Sequence, residues 1–199
     1  MTRTAPLRRD RHVVWQSWEA LTIEHLQLRE EPDRVVADGL IVGLIEGHVL
    51  RLQYTLQCDT AYKFQMCHLH MTQPWRRTLD LSLDHDGVWS VVPGSAATSL
   101  TGSSEIDLSA SPFTNTLPIR RLGLGVKQAA EIQVAYISVP ELSVRADHQR
   151  YTLLRETNEY QLYRFESPAS DFTADIRVDP DGLVLDYPGL FRRVWPRQT

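Results

Sequence analysis

Apolar residues recur at every second position through much of the chain. Leu50, Leu52, Tyr54 and Leu56 alternate with Arg51, Gln53, Thr55 and Gln57, a period of two that sends neighbouring side chains to opposite faces of a strand. Leu79, Leu81 and Leu83 repeat the pattern against Asp80, Ser82 and Asp84. Phe172, Ala174, Ile176 and Val178 repeat it against Thr173, Asp175, Arg177 and Asp179. Each segment predicts a strand with one buried and one wet face. The run from Ile132 to Val139 is apolar on both parities, which fits a strand covered on both sides.

Between these runs stand Asp38-Gly39, Glu46-Gly47, Asp86-Gly87 and Asp181-Gly182. Glycine supplies the positive φ that tight hairpin turns require, so these pairs predict a meander of hairpin-linked strands. Gly94 to Ser104 is small and polar and predicts a flexible loop with strand on either side. Helical signals are few. Ser111 to Leu122 (SPFTNTLPIRRL) can start a short helix, because Ser or Thr caps free N–H groups and proline is tolerated in a first turn. Leu117, Arg121 and Leu124 would then share one side. The expected fold is mainly β, an antiparallel sheet curved into an open or half barrel around a short helix.

The chain of 199 residues fits one domain, 1–199, in which residues 1–12 form a flexible start. Apolar residues at 42% and charged residues at 23% predict a packed core. A net charge of -4, with Lys and Arg scattered, offers no field for collecting phosphates, so nucleic acid is not an expected partner. The charged start has no apolar export region, and no stretch approaches the roughly 20 apolar residues of a membrane span. These features predict a cytoplasmic protein, in which Cys58 and Cys67 stay as thiols.

Candidate chemistry is thin. Phe64, Met66, His68 and His70 fall on one strand face, and a His-x-His pair can ligate zinc with a third ligand, which no spacing selects. Cys67 and His68 are adjacent and so point to opposite faces. Asp84 with Asp86, and Asp179 with Asp181, fit turn aspartates better than glycosidase carboxylates. No Gly-x-Ser-x-Gly elbow or phosphate-cradling loop is present. No catalytic residue, metal or cofactor is assigned. The five tryptophans read mainly as packing.

The Ser111–Leu122 segment resembles the hallmark stretch of a bacterial family of uncharacterised proteins described as putative glycolipid-binding. Gln53-Tyr54 through Cys58-Asp59, Gln149-Arg150-Tyr151 and Asp179 through Leu190 fit in order, so the resemblance runs from about Val14 to Arg193. Where the family often has a tryptophan after Cys58-Asp59, this chain has Tyr62. The resemblance implies a β half-barrel wrapped around helix, similar in shape to periplasmic carriers that shield acyl chains, and a non-enzymatic role in binding a glycolipid or similar amphiphile. The tail would lie in the concavity and the head near Thr114 to Arg121.

Asn115, Arg120, Arg121, Gln149 and Arg150 supply donors for sugar hydroxyls or a phosphate, and Tyr151 and Tyr187 could stack on a sugar face. The same polar groups could instead tie an irregular segment to the sheet. Two rival readings remain. One is an interaction module, open to homo-oligomerisation, whose cavity is filled by its own helix. The other is a lipid hydrolase using His68 or His148.

Overall fold

A computed structural model describes residues 9–93 and 100–196. Most of the expected flexible start, residues 1–8, and the first part of the expected loop, residues 94–99, lie outside the described residues. Seven strands precede that loop: β1 (Arg9–Ser17), β2 (Leu21–Glu30), β3 (Val35–Ile45), β4 (His48–Cys58), β5 (Phe64–Gln73), β6 (Arg77–Leu83) and β7 (Trp89–Val92). Seven follow it: β8 (Glu105–Leu108), β9 (Ala129–Ile137), β10 (Val144–Glu156), β11 (Gln161–Ser167), β12 (Phe172–Val178), β13 (Val184–Tyr187) and β14 (Phe191–Trp195).

All fourteen join one open sheet in the order β7-β6-β5-β4-β3-β2-β1-β14-β13-β12-β11-β10-β9-β8. Every pairing is antiparallel except β8 with β9. That pair departs from the expected meander. Parallel neighbours need a long crossover, and the segment holding the helix supplies it: a 3-10 turn, Pro112–Asn115, followed by helix α1, Thr116–Leu122.

Strand alternation sorts the side chains as expected. Leu50, Leu52, Tyr54 and Leu56 are buried while Arg51, Gln53 and Thr55 are exposed. Ser111 caps the 3-10 turn, its Oγ accepting from the Phe113 N–H at 3.2 Å, with Pro112 in the first turn. Gly123 ends the helix in the left-handed region, φ 53°. Leu124 therefore falls beyond the helix, and only Leu117 of the expected stripe is fully buried.

The segment touches strands far apart in the sheet. Ser111 reaches Glu24 on β2 and Tyr54 on β4; Asn115 reaches Tyr151 on β10; Thr116 donates to the Gly182 carbonyl in the β12–β13 turn. A sheet whose separated strands all meet one short segment must curve around it. Phe113, Leu117 and Ile119 fill the interior there.

Two local expectations fail for physical reasons. Asp38-Gly39 is not a turn but the middle of β3. Gly39 lies opposite Tyr54, and a Cβ there would stand 2.0 Å from the Tyr54 ring. Glycine is the seat of that ring. Phe64 does not share a face with Met66, His68 and His70, because a bulge on β5 shifts the register between the Gln57 and Cys58 pairings and turns Phe64 inward. The Phe64 ring stacks on Trp89, with centroids 5.3 Å apart. Glu46-Gly47 does turn as expected, with φ of 49° and 78°, the two positive values of a type I′ hairpin. Gly87 and Gly182 also have positive φ in their turns.

Candidate functional site

A strand normally keeps polar side chains on its wet face, yet β10 directs Asp147, Gln149, Tyr151 and Leu153 inward together. Buried polar groups are costly unless hydrogen-bonded, and each of these is. Asp147 accepts from Arg145 Nη1 at 2.7 Å and from Ser167 Oγ at 3.0 Å. Gln149 Nε2 donates to Asp107 Oδ2 at 2.7 Å. Tyr151 accepts from Asn115 Nδ2 at 2.9 Å. Asp107, Asn115, Arg145, Asp147, Gln149 and Ser167 form the polar side of a cavity of about 320 Å³.

Its other side is aromatic. Phe165 on β11, Phe172 on β12, Tyr187 on β13 and Phe191 on β14 face the cavity beside Leu190. Their centroids lie 6.1–6.3 Å apart at interplanar angles of 47–67°, so the rings form tilted walls rather than a flat stack. All lining residues fall between Asp107 and Phe191, the second half of the sheet. A depression of about 450 Å³ between Arg76, Arg77, Pro93 and Glu141 has no aromatic wall.

Asp107 stands on β8 at the polar side. Its Oδ1 accepts from Thr114 Oγ1 at 3.1 Å. Burial pushes its carboxyl up, opposed by the hydrogen bonds from Gln149 and Thr114. The Tyr136 and Tyr187 hydroxyls are raised, first by burial and then by the Asp107 charge. Arg145 lies over the Tyr136 ring, 4.4 Å from its centroid.

Of the residues expected to meet a ligand, the cavity brings together Asn115, Gln149 and Tyr187. Thr114 is buried and bonds the Leu108 N–H and Asp107. Tyr151 is buried behind Asn115, its ring edge-on to Phe165. Arg150 points to the opposite, exposed face of β10, 3.8 Å from Glu166. Arg121 pairs with the fully buried Glu105, whose carboxyl burial lifts to about 7 despite that partner. Arg120 lies over Tyr62 at 4.7 Å and sits near Glu30 and Asp181, to which Arg9 and Arg11 also bind. Both helix arginines therefore fasten the segment to the sheet.

A second buried acid locks the segment's start. Glu24 Oε1 accepts from Tyr54 at 2.5 Å and from Ser111 at 2.7 Å, while its Oε2 has no partner among the described residues. Burial raises this carboxyl to about 7. The four stretches that carry the family resemblance thus converge on the internal segment, through Tyr54, Ser111, Tyr151 and Gly182.

Other candidates lie elsewhere. His68 and His148 are exposed, and His68 Nδ1 is 2.5 Å from Asp80 Oδ1. Cys58 and Cys67 are buried free thiols, and burial raises both. Asp84, Asp59 and Asp179 each accept backbone N–H bonds within their own turns. Among the described residues no group of three or more His, Cys, Asp or Glu is placed to hold a metal ion. None of the helices there is long and apolar enough to cross a membrane.

Sequence reasoning missed Asp107, Asp147, Phe165 and Phe172. The available signal was polar residues on a buried parity, as in Asp147 and Gln149 beside Tyr151 and Leu153.

A family described as Putative glycolipid-binding matches residues 12–193. A crystal structure of a DUF1089 family protein from Pseudomonas aeruginosa is similar over 98% of both chains, with 35% sequence identity and a TM-score of 0.70. No curated protein matches.

Proposed function

This chain belongs to the Putative glycolipid-binding family, and from that premise we propose that it binds the head group of a glycolipid or similar amphiphile in the Asp107–Tyr187 cavity, without turnover. The observation that carries the reading is the opposition of an aromatic wall to a hydrogen-bonding wall across one cavity. Ligand sites pair apolar lining with a few fixed polar groups. Ring faces of Tyr187 and Phe172 suit the C–H face of a sugar, and Asn115, Gln149 and the serines suit its hydroxyls.

A volume of about 320 Å³ is at the small end of the roughly 300–1,000 Å³ typical of ligand pockets. It suits a head group rather than an acyl chain. The concavity of the sheet, the expected place of the tail, is occupied by Phe113, Leu117 and Ile119. The tail then leaves through the mouth past the half-buried Phe172 and Leu190. The same filled interior favours an interaction module as the second reading.

Native mass spectrometry after offering a single-sugar glycolipid distinguishes them. The expected result is a one-to-one adduct, recovered chemically unchanged, that Tyr187→Ala and Gln149→Ala lose and Arg150→Ala keeps. Absence of any adduct, or its survival in both cavity variants with the fold intact, refutes the head-group reading.

A further inference from the structure

The two carboxylates of the cavity are not equivalent. Asp147 has a cation, Arg145, on one oxygen and the Ser167 hydroxyl on the other. Asp107 receives only the neutral Gln149 amide and Thr114 hydroxyl, one on each oxygen. Among the described residues no Lys, Arg or His forms an ion pair with it; Arg145 acts on it only from a distance, as the weakest of its influences. A carboxylate has about four acceptor sites, so Asp107 keeps capacity for a further donor.

The surroundings of Asp107 favour one kind of donor. Phe165, Phe172 and Tyr187 contact one another as tilted rings, offering faces to the cavity from different directions. Ring faces are negative and attract cations, most strongly where water is excluded. The cavity already contains one internal example, since Arg145 lies over Tyr136 while pairing with Asp147. Asp107 faces the rings across the cavity, and the cavity's own cation, Arg145, is engaged by Asp147 and the Tyr136 ring.

Resting on the head-group reading above, we propose that this cavity selects a head group that carries an ammonium, which docks on Asp107 within the rings of Phe165, Phe172 and Tyr187. Asn115 and the wall serines then take the hydroxyls of the same ligand. An uncharged head of equal size leaves the Asp107 charge uncompensated on desolvation and binds more weakly.

The shared positive charge could come from an amino sugar, whose N–H groups donate to Asp107, or from a quaternary ammonium such as choline, which meets Asp107 and the rings through charge alone. The test is titration of the full chain with glucosamine, glucose, N-acetylglucosamine and choline, followed by amide chemical shifts and calorimetry. Glucosamine is expected to bind about ten- to a hundredfold more tightly than glucose or N-acetylglucosamine, the ratio of a charged to a neutral hydrogen-bonded contact. Asp107→Asn, which keeps the shape and an acceptor for Gln149, is expected to abolish that ratio.

Choline binding as tightly as glucosamine identifies the ammonium alone as the determinant; a clear preference for glucosamine identifies an amino sugar. Either outcome supports the proposal. Equal binding of glucosamine and glucose overturns it while leaving the head-group cavity standing, whereas no binding by any probe overturns both. If Asp107→Asn does not fold, Phe172→Ala at the half-buried ring, together with shifts at Tyr136, Gln149 and Tyr187 in the unaltered chain, carries the test. Shifts confined to the outer face, or an ammonium preference unchanged in Phe172→Ala, overturn the proposal.

Discussion

Glu24 makes a prediction about pH that can be worked through in numbers. Its carboxyl rises from 4.5 to about 7 because burial disfavours the charge more than the Tyr54 and Ser111 hydroxyls stabilise it. In the unfolded chain the group returns to its ordinary value. Between those two values the folded state binds more protons, so stability falls as pH rises. The contribution is complete below about pH 4.5, is lost progressively toward pH 7 and is flat above. A displacement of this size corresponds to about 3 kcal/mol.

Glu24→Gln is the perturbation, since an amide has the shape of the neutral acid and its oxygen can accept from both hydroxyls. Urea unfolding followed by tryptophan emission, at intervals from pH 4.5 to pH 8, gives stability for both chains. Glu105, also raised to about 7, adds slope of the same sign to each chain. The difference between the chains isolates Glu24. The advantage of the parent over the variant should shrink by about 3 kcal/mol from pH 4.5 to pH 7.5. Parallel curves across that window would refute an acid that is neutral when folded at low pH and charged when unfolded.

Other substitutions probe separate parts of the fold. Arg121→Ala strands the fully buried Glu105 and should cost roughly 3 kcal/mol at pH 8 by urea midpoint, less at pH 5 where the acid is neutral. Gly39→Ala drives a methyl into the Tyr54 ring and should lower the thermal midpoint, at a cost of about 1–3 kcal/mol. Arg150→Ala, on the exposed face, should alter stability by less than about 0.5 kcal/mol and leave head-group titrations unchanged.

Much of the sheet was legible because burial on a strand follows a period of two, and the chain from Leu50 to Leu56 keeps that period without interruption. The Ser111–Leu122 segment was legible from its cap and its prolines. Asp38-Gly39 was not, since the dipeptide is the same whether glycine serves a turn or a ring on the next strand; only the position of Tyr54 decides. Phe64 was misplaced because a bulge leaves no mark on the alternation of residues. The cavity draws Asp107, Gln149, Phe165 and Tyr187 from four different strands. Each side chain is unremarked within its own strand, and it is the curvature of the sheet that makes them neighbours. Arg120 and Arg121 read in sequence as donors for a head group, but the acids that engage them lie far away along the chain.

The first and last strands share the middle of the sheet, with Ser17 opposite Phe191. Most other neighbours are successive in the chain, so two meanders can each assemble from short hairpins while the β1–β14 seam must await closure of the long span between Ser17 and Phe191. Closure entropy grows with the logarithm of loop length, and contacts of such long range are made late in folding. Replacing Phe191 by a smaller side chain should therefore act more on the unfolding rate than on the folding rate. Phe191 is also a wall of the cavity. The site is thus finished only when β14 has paired with β1, and occupancy of the cavity becomes a report on closure of that seam.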